Sequence, residues 1–183
     1  MTRSRRIVVV GTTGSGKTTL AGQLARRIGC PHVELDALHW EPNWTEAPLE
    51  RFRARTCEAL SGACWVTDGN YSKVRDIVWG RADTLVWLDY SLAVVFWRLF
   101  RRAVRRIATQ EELWGGGNRE TFRKQFLSRD SLFVWALKTY RRRKREYATL
   151  PVQPEYAHLR VIRLRSPRET AAWLAGWGEH DDA

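Results

Sequence analysis

The chain has 183 residues, 44% hydrophobic and 28% charged, with a net charge of +11. That balance suits one globular domain with its own core and excludes a disordered chain. No apolar run approaches the roughly 18–20 residues that a bilayer-spanning helix needs.

The opening "MTRSRRIVVVGTTG" imitates an export signal, basic and then apolar. Its apolar part, Ile7 to Val10, is short and runs into a glycine loop rather than a cleavage site, so a cytoplasmic location is expected. Arg6–Val10 is β-branched and reads as a buried strand. The next residues, Gly11, Thr12, Thr13, Gly14, Ser15, Gly16, Lys17 and Thr18, fit G-x-x-x-x-G-K-[ST] at every position. Glycines let successive N–H groups turn inward into an anion cradle, and the N-terminus of the following helix adds its dipole, so Gly11 to Thr18 together with Thr19 are the candidate nucleotide-binding residues. Lys17 supplies a point charge for β- and γ-phosphates, and Thr18 a hydroxyl for Mg²⁺. Leu20, Leu24 and Ile28 recur at helical spacing, and Gly29 is a stop signal.

"HVELD" reads as a second strand ending at Asp36. Thr45–Leu60 reads as a helix with Thr45 as N-cap and Pro48 in its first turn. "ACWVTDGN" is a third strand ending at Asp68, and "DTLVWLDY" a fourth ending at Asp89. Ser91–Ala108 is a long helix, followed by the glycine-broken excursion "TQEELWGGGNRETFRKQF" and a second long helix over Asp130–Thr149. "HLRVIRLRS" is the last strand, and a closing helix has Ser166 as cap and Pro167 at its first position. Cys30, Cys57 and Cys64 form no CxxC pair and are expected to be small, mostly buried free thiols.

Strands alternating with helices predict an α/β fold around a parallel sheet, with functional groups at the carboxyl ends of the strands. Gly11, Asp36, Asp68 and Asp89 all fall there. Mg²⁺ takes one or two carboxylates beside substrate phosphates, so Thr18, Asp68 and Asp89 are the candidate metal residues. Asp68 is favoured because Gly69 permits close approach of backbone to ligand. Asp36 either orients an acceptor hydroxyl or caps the segment that follows. His39 is expected to be structural, while Trp40 and Trp44 either stack on an acceptor ring or belong to the core.

The charge is lopsided. Between Arg98 and Arg145, fifteen Lys and Arg face four acids, and elsewhere the two signs cancel. Arg98, Arg101, Arg102, Arg105 and Arg106 share one helical face and read as a polyphosphate clamp extended by Arg119 and Arg123, or as a solvated basic face. Lys138–Tyr147 is cationic around most of its helix. That geometry suits a nucleic-acid backbone, an acidic partner or plain solvent better than a small site, so Arg142 and Arg143 are expected to matter little for turnover.

These residues together resemble the adenylate-kinase-like P-loop kinases, and most closely the small bacterial DNA topology modulation proteins. The similarity runs through "GTTGSGKTTLA", "VELDALHWEPNW", "WVTDGNYS", "ADTLVWLDY", the arginine helix and "VIRLRSPRE". It implies a three-layer P-loop NTPase sandwich with a parallel five-stranded sheet, like the nucleoside monophosphate kinases, in one domain over 1–183. An acceptor-binding insertion would span about 37–64 and a short lid about 109–129. ATP and Mg²⁺ would be bound, Ser166, Pro167 and Arg168 would border the adenine, Arg98 and Arg102 would bind phosphate, and Arg119 and Arg123 would be lid arginines. The chain departs from true adenylate kinases at Leu35-Asp36, where they have a Thr- or Ser-containing turn, and at "DGNYSKVRD", where they have Pro-Arg after the Asp-Gly. A phosphate acceptor needs no base, so a placed Asp36 points to a hydroxyl acceptor and away from AMP. The leading reading is an ATP- and Mg²⁺-dependent kinase of a small-molecule acceptor, a nucleoside, a nucleotide or another hydroxyl compound. The other reading is a nucleic-acid-binding or partner-regulating NTPase, and in either case a monomer or homodimer is expected.

Overall fold

The computed structural model describes residues 5–109, 112–113, 118–119, 132–149 and 153–177. β1 (Arg6–Gly11) leads through the glycine loop into α1 (Lys17–Ile28), which ends at Gly29 with φ 68°. β2 (His32–Glu34) runs directly into the short helix α2 (Leu35–His39). β3 (Trp40–Glu41) and β4 (Thr45–Glu46) form a small hairpin ahead of α3 (Leu49–Ala59). β5 (Trp65–Asp68) precedes α4 (Arg75–Arg81), and β6 (Thr84–Leu88) precedes α5 (Leu92–Thr109). β7 (Glu112–Leu113) pairs with β8 (Asn118–Arg119), and α6 (Leu132–Ala148), β9 (Arg160–Leu164) and α7 (Pro167–Ala175) complete the order.

Five strands form one parallel sheet in the order β2-β5-β1-β6-β9, which is the α/β architecture expected. Side-chain alternation along β1 explains the layering. Val8 and Val10 enter one core with Phe52, Trp65, Val78, Trp79 and Tyr147, from the α3, α4 and α6 side. Ile7 and Val9 enter the other with Leu20, Leu24, Val95, Leu99 and Leu164, beneath α1, α5 and α7. Both faces of the sheet are therefore sealed, and polar chemistry is confined to the strand ends.

Four local expectations are corrected. The helix expected from Thr45 begins only at Leu49, because Thr45 and Glu46 pair with β3 and Ala47 N–H donates to His39 O at 2.8 Å. Pro48, which has no N–H to give, becomes the point where the helix starts. The second strand stops at Glu34, so Asp36 lies inside α2 rather than at a strand end. The short helix α4, with Gly80 near its end, was not expected between the third and fourth strands. Finally, Cys30 and Cys64 are joined by a disulfide, with Cα atoms 5.6 Å apart, and Cys57 alone is free. Their separation of 34 residues carries no spacing signal, and only the pairing of β2 with β5 brings them together.

Candidate active site

The glycine loop sits between β1 and α1 with Gly16 in the left-handed region at φ 93°. A Cβ at Gly16 would come within 2.7 Å of Arg98 Nη1, so the position has neither the backbone freedom nor the space for a side chain. Arg98 is pressed against the loop because Nη1 donates to Ser15 O at 2.6 Å, with the guanidinium 5.1 Å above the Tyr90 ring. It braces the loop from below. Ser15 Oγ is fully buried and has no hydrogen-bond partner among the described residues. A loop turned by left-handed glycines at Gly14 and Gly16 around a buried, unsatisfied hydroxyl suits a phosphate cradle.

Lys17 leaves the loop at the start of α1. Its Nζ lies 3.5 Å from Thr12 O, too far to be held firmly. Burial pulls its ammonium down to about 8; the charges of Asp68 and Asp36 oppose the shift, and those of Arg143 and Arg102 reinforce it. One lysine therefore feels two carboxylates and two guanidiniums from four different elements.

Thr18 Oγ1 donates to Asp68 Oδ2 at 2.8 Å, and His32 Nε2 lies 2.9 Å from Asp68 Oδ1. Asp89 is engaged elsewhere: Arg163 Nε and Nη2 donate to its Oδ2 at 3.0 and 2.6 Å, and Lys144 Nζ is 3.4 Å from Oδ1. Of the two acids, Asp68 is the one beside Thr18. Hydroxyl and carboxylate oxygens make a hard donor set of the kind that suits Mg²⁺. The glycine after Asp68 has another reason than ligand approach. A Cβ on Gly69 would meet Leu35 Cβ at 2.9 Å, so the residue is small to admit the start of α2.

Asn70 forms a reciprocal clip. Its Nδ2 donates to Gly11 O at 2.6 Å, its Oδ1 accepts from Gly11 N–H at 3.3 Å, and Tyr147 Oη donates to the same Oδ1 at 2.9 Å. The entry of the loop, the end of β5 and α6 are thus joined through one side chain. Tyr71 Oη donates to Asp36 Oδ1 at 2.5 Å. Burial pushes the Tyr71 hydroxyl far up, and the charge of Asp36 and the bond to it add to the effect, so it stays a donor. No side chain caps the start of α2, and the Asp36 carboxylate bonds Tyr71 instead. "DGNY" therefore gives each of its four residues separate work.

His39 is buried against Trp40, Phe52 and Tyr71, and burial lowers its pKa against the pull of Glu46. Trp40 and Trp44 meet edge to face at 5.6 Å in the turn beside it. The backbone of β8, which carries Arg119, comes within 8 Å (Cα–Cα) of that Pro42–Trp44 turn. Arg123 lies outside the described residues. On α5, Arg98 and Arg102 are half-buried while Arg101 and Arg105 are exposed. At the far end, Ser166 Oγ caps α7 by accepting from Glu169 N–H at 3.1 Å, and the Glu169 carboxylate accepts from Arg165 N–H, one residue before the cap, at 2.6 Å. Arg168 is exposed beside it.

Sequence reasoning missed Arg143. α6 is not uniformly solvated: Lys138, Arg141, Arg142 and Arg145 form the exposed stripe, while Arg143 is half-buried between Tyr140 and Tyr147. Tyr140 Oη donates to Tyr90 O at 3.2 Å and Tyr147 reaches Asn70, so this face looks into the site. Burial lowers the Arg143 pKa, and Asp36 is among the charges that act on it. The signal was present, as an apolar–aromatic stripe at Tyr140 and Tyr147 with one arginine inside it.

The fold is shared with solved structures of small-molecule kinases. It is similar to the crystal structure of a gluconokinase from Sinorhizobium meliloti 1021, at 21% identity and a TM-score of 0.52, covering 99% of this chain and 98% of that one. Shikimate kinase from Bacteroides thetaiotaomicron is similar at 16% identity and a TM-score of 0.53, over 98% and 99% of the two chains. A sugar kinase from Janibacter sp. HTCC2649 is similar at 19% identity and a TM-score of 0.53, over 96% and 95%. At these identities the likeness is one of fold. No protein-family model matches the chain, and no curated protein does.

Proposed function

We propose that the protein transfers the γ-phosphoryl group of ATP to a hydroxyl of a small polar acceptor. The observation that carries this reading is that Lys17 feels Asp68, bonded to Thr18, and Asp36, held by Tyr71, at the same time. The loop N–H groups and Lys17 would hold the β- and γ-phosphates. Bound Mg²⁺ would offset phosphate charge, with Thr18 and Asp68 as its protein residues. Because Tyr71 occupies Oδ1 of Asp36, Oδ2 would be the oxygen offered to the acceptor hydroxyl. The acceptor oxygen bonds to the γ-phosphorus as the bridge to the β-phosphate breaks, ADP leaves, and the hydroxyl proton passes to Asp36. Arg102 and Arg143, with Arg119 and Arg123 from the lid segment, would offset charge on the group in transfer, which is where such reactions gain most. Ser166, Pro167 and Arg168 would border the adenine.

Three fold neighbours are a gluconokinase, a shikimate kinase and a sugar kinase, which supports a polyhydroxylated acceptor such as a sugar or sugar acid. Within this fold we place the chain nearest the DNA topology modulation group, working in the cytoplasm on ATP. A panel of such acceptors screened for ATP consumption tests the reading. Asp36→Asn should then lower turnover by about 10² to 10⁴ while MgATP affinity stays within a few fold. A change in turnover under tenfold would end the role given to Asp36.

One observation favours a second reading. The exposed stripe Lys138, Arg141, Arg142 and Arg145 would suit a nucleic-acid backbone. Binding to a DNA duplex should then weaken steeply with salt, and an Arg141/Arg142 double alanine should reduce the log–log slope by about two.

A further inference from the structure

His32 is on the edge strand β2 and Asp68 on its neighbour β5, where His32 pairs with Val66 and Glu34 with Asp68. The imidazole therefore reaches diagonally across two strands to a carboxylate that is 5% exposed. An ionised carboxylate only accepts, so Nε2 carries the proton and donates to Oδ1 at 2.9 Å. The other oxygen, Oδ2, accepts from Thr18 Oγ1 at 2.8 Å. Carboxylate torsions are broad and roughly two-fold. Two donors from opposite sides remove that freedom.

The ring itself is seated. Gly22 of α1 lies alongside it, where a Cβ would sit 3.6 Å from Nδ1 at ordinary contact distance. Val66 N–H donates to Pro31 O at 2.9 Å, and two residues before His32 the disulfide from Cys30 fixes the foot of β2 to Cys64, just ahead of β5. A three-residue edge strand has few bonds of its own, and these contacts hold its histidine in place.

We propose that His32 is the positioning residue of the metal-side carboxylate, holding Asp68 so that Thr18 and Asp68 face the metal of MgATP together. This rests on the reading of Asp68 given above. His32 touches neither nucleotide nor acceptor. Its contribution is the fixed direction of Asp68, and outer-shell partners of this kind change metal affinity by about 10- to 100-fold.

The test is calorimetric titration of the protein with ATP in EDTA and with ATP in excess Mg²⁺, for the wild type and for His32→Ala, His32→Gln and Asp68→Asn. The Mg²⁺-dependent gain in ATP affinity should fall by about 10- to 100-fold in His32→Ala. Affinity in EDTA should stay within about twofold, and His32→Gln, which keeps a donor, should recover most of the gain. A gain within twofold of wild type in His32→Ala overturns the proposal. So does an equal loss with and without Mg²⁺, which would mean that His32 only supports the fold. Asp68→Asn separates the two readings: if it too keeps the gain, the metal-side role of Asp68 itself has failed. Thermal melting of each variant completes the comparison, and a poorly folded alanine variant leaves the glutamine variant to decide, an undiminished loss of the gain in it again overturning the proposal.

Discussion

Lys17 turns the electrostatics of the site into a measurable proton. Its ammonium titrates near 8 in the ligand-free protein, chiefly because burial disfavours the charged form. A bound triphosphate favours the charged form strongly, so the lysine must be protonated in the complex. Binding therefore takes up the protons that the free protein lacks, about a tenth at pH 7, about half at pH 8 and about nine-tenths at pH 9. By the same linkage MgATP affinity should be flat below pH 8 and lower by about tenfold at pH 9. Calorimetry in two buffers of different ionisation enthalpy reads the uptake directly, because MgATP itself holds no proton above pH 8. Lys17→Arg is the control, since its guanidinium stays charged throughout. Absence of uptake at pH 8.5 in the wild type, or equal uptake in Lys17→Arg, would refute the reasoning. The sign for stability is the opposite of a salt bridge. Between about 8 and the ordinary value of 10.5 the unfolded chain binds more protons at this residue than the folded one. Its penalty on folding is thus full below pH 8 and fades as pH rises through that window.

Arg143→Ala should lower turnover by about 10² to 10³, the scale of a lost transition-state charge partner, whereas Arg142→Ala one residue away should stay within about twofold; steady-state rates that fall equally would return α6 to a solvated face. Asn70→Asp keeps an acceptor for Gly11 N–H and Tyr147 but sets a carboxylate against Gly11 O, now 2.6 Å from Nδ2. Its MgATP affinity should fall by at least about tenfold, roughly 1.4 kcal/mol for one buried bond turned repulsive, and titration showing wild-type affinity would remove the clip from the site. Cys64→Ser opens a loop closed over 34 residues and should reduce stability to urea by about 4 kcal/mol under oxidising conditions, with no difference from wild type once both are reduced.

What the sequence makes legible here depends on whether a residue's work is local. The phosphate loop is read from its own eight residues, because in the proposed role its glycines, lysine and threonine would act on one ligand through adjacent backbone. The positions of Asp36 and Asp68 near one edge of the sheet are legible because strand-like segments precede them, and parallel strands deliver what ends or follows them to one edge. The partners of those acids are not, since no local pattern states that β2 lies beside β5 rather than beside β1. That adjacency alone creates the His32–Asp68 contact and the Cys30–Cys64 bond. The helix boundary at Pro48 failed for a related reason, because a hairpin claimed Thr45 and Glu46 first. Arg143 is the sharpest case. Composition makes it one of five consecutive cations, yet two tyrosines seven positions apart, each tied to the strand-end loops, turn that single side chain inward. A helix surrounded by charge can still aim one arginine, provided that its aromatic residues decide which face is buried.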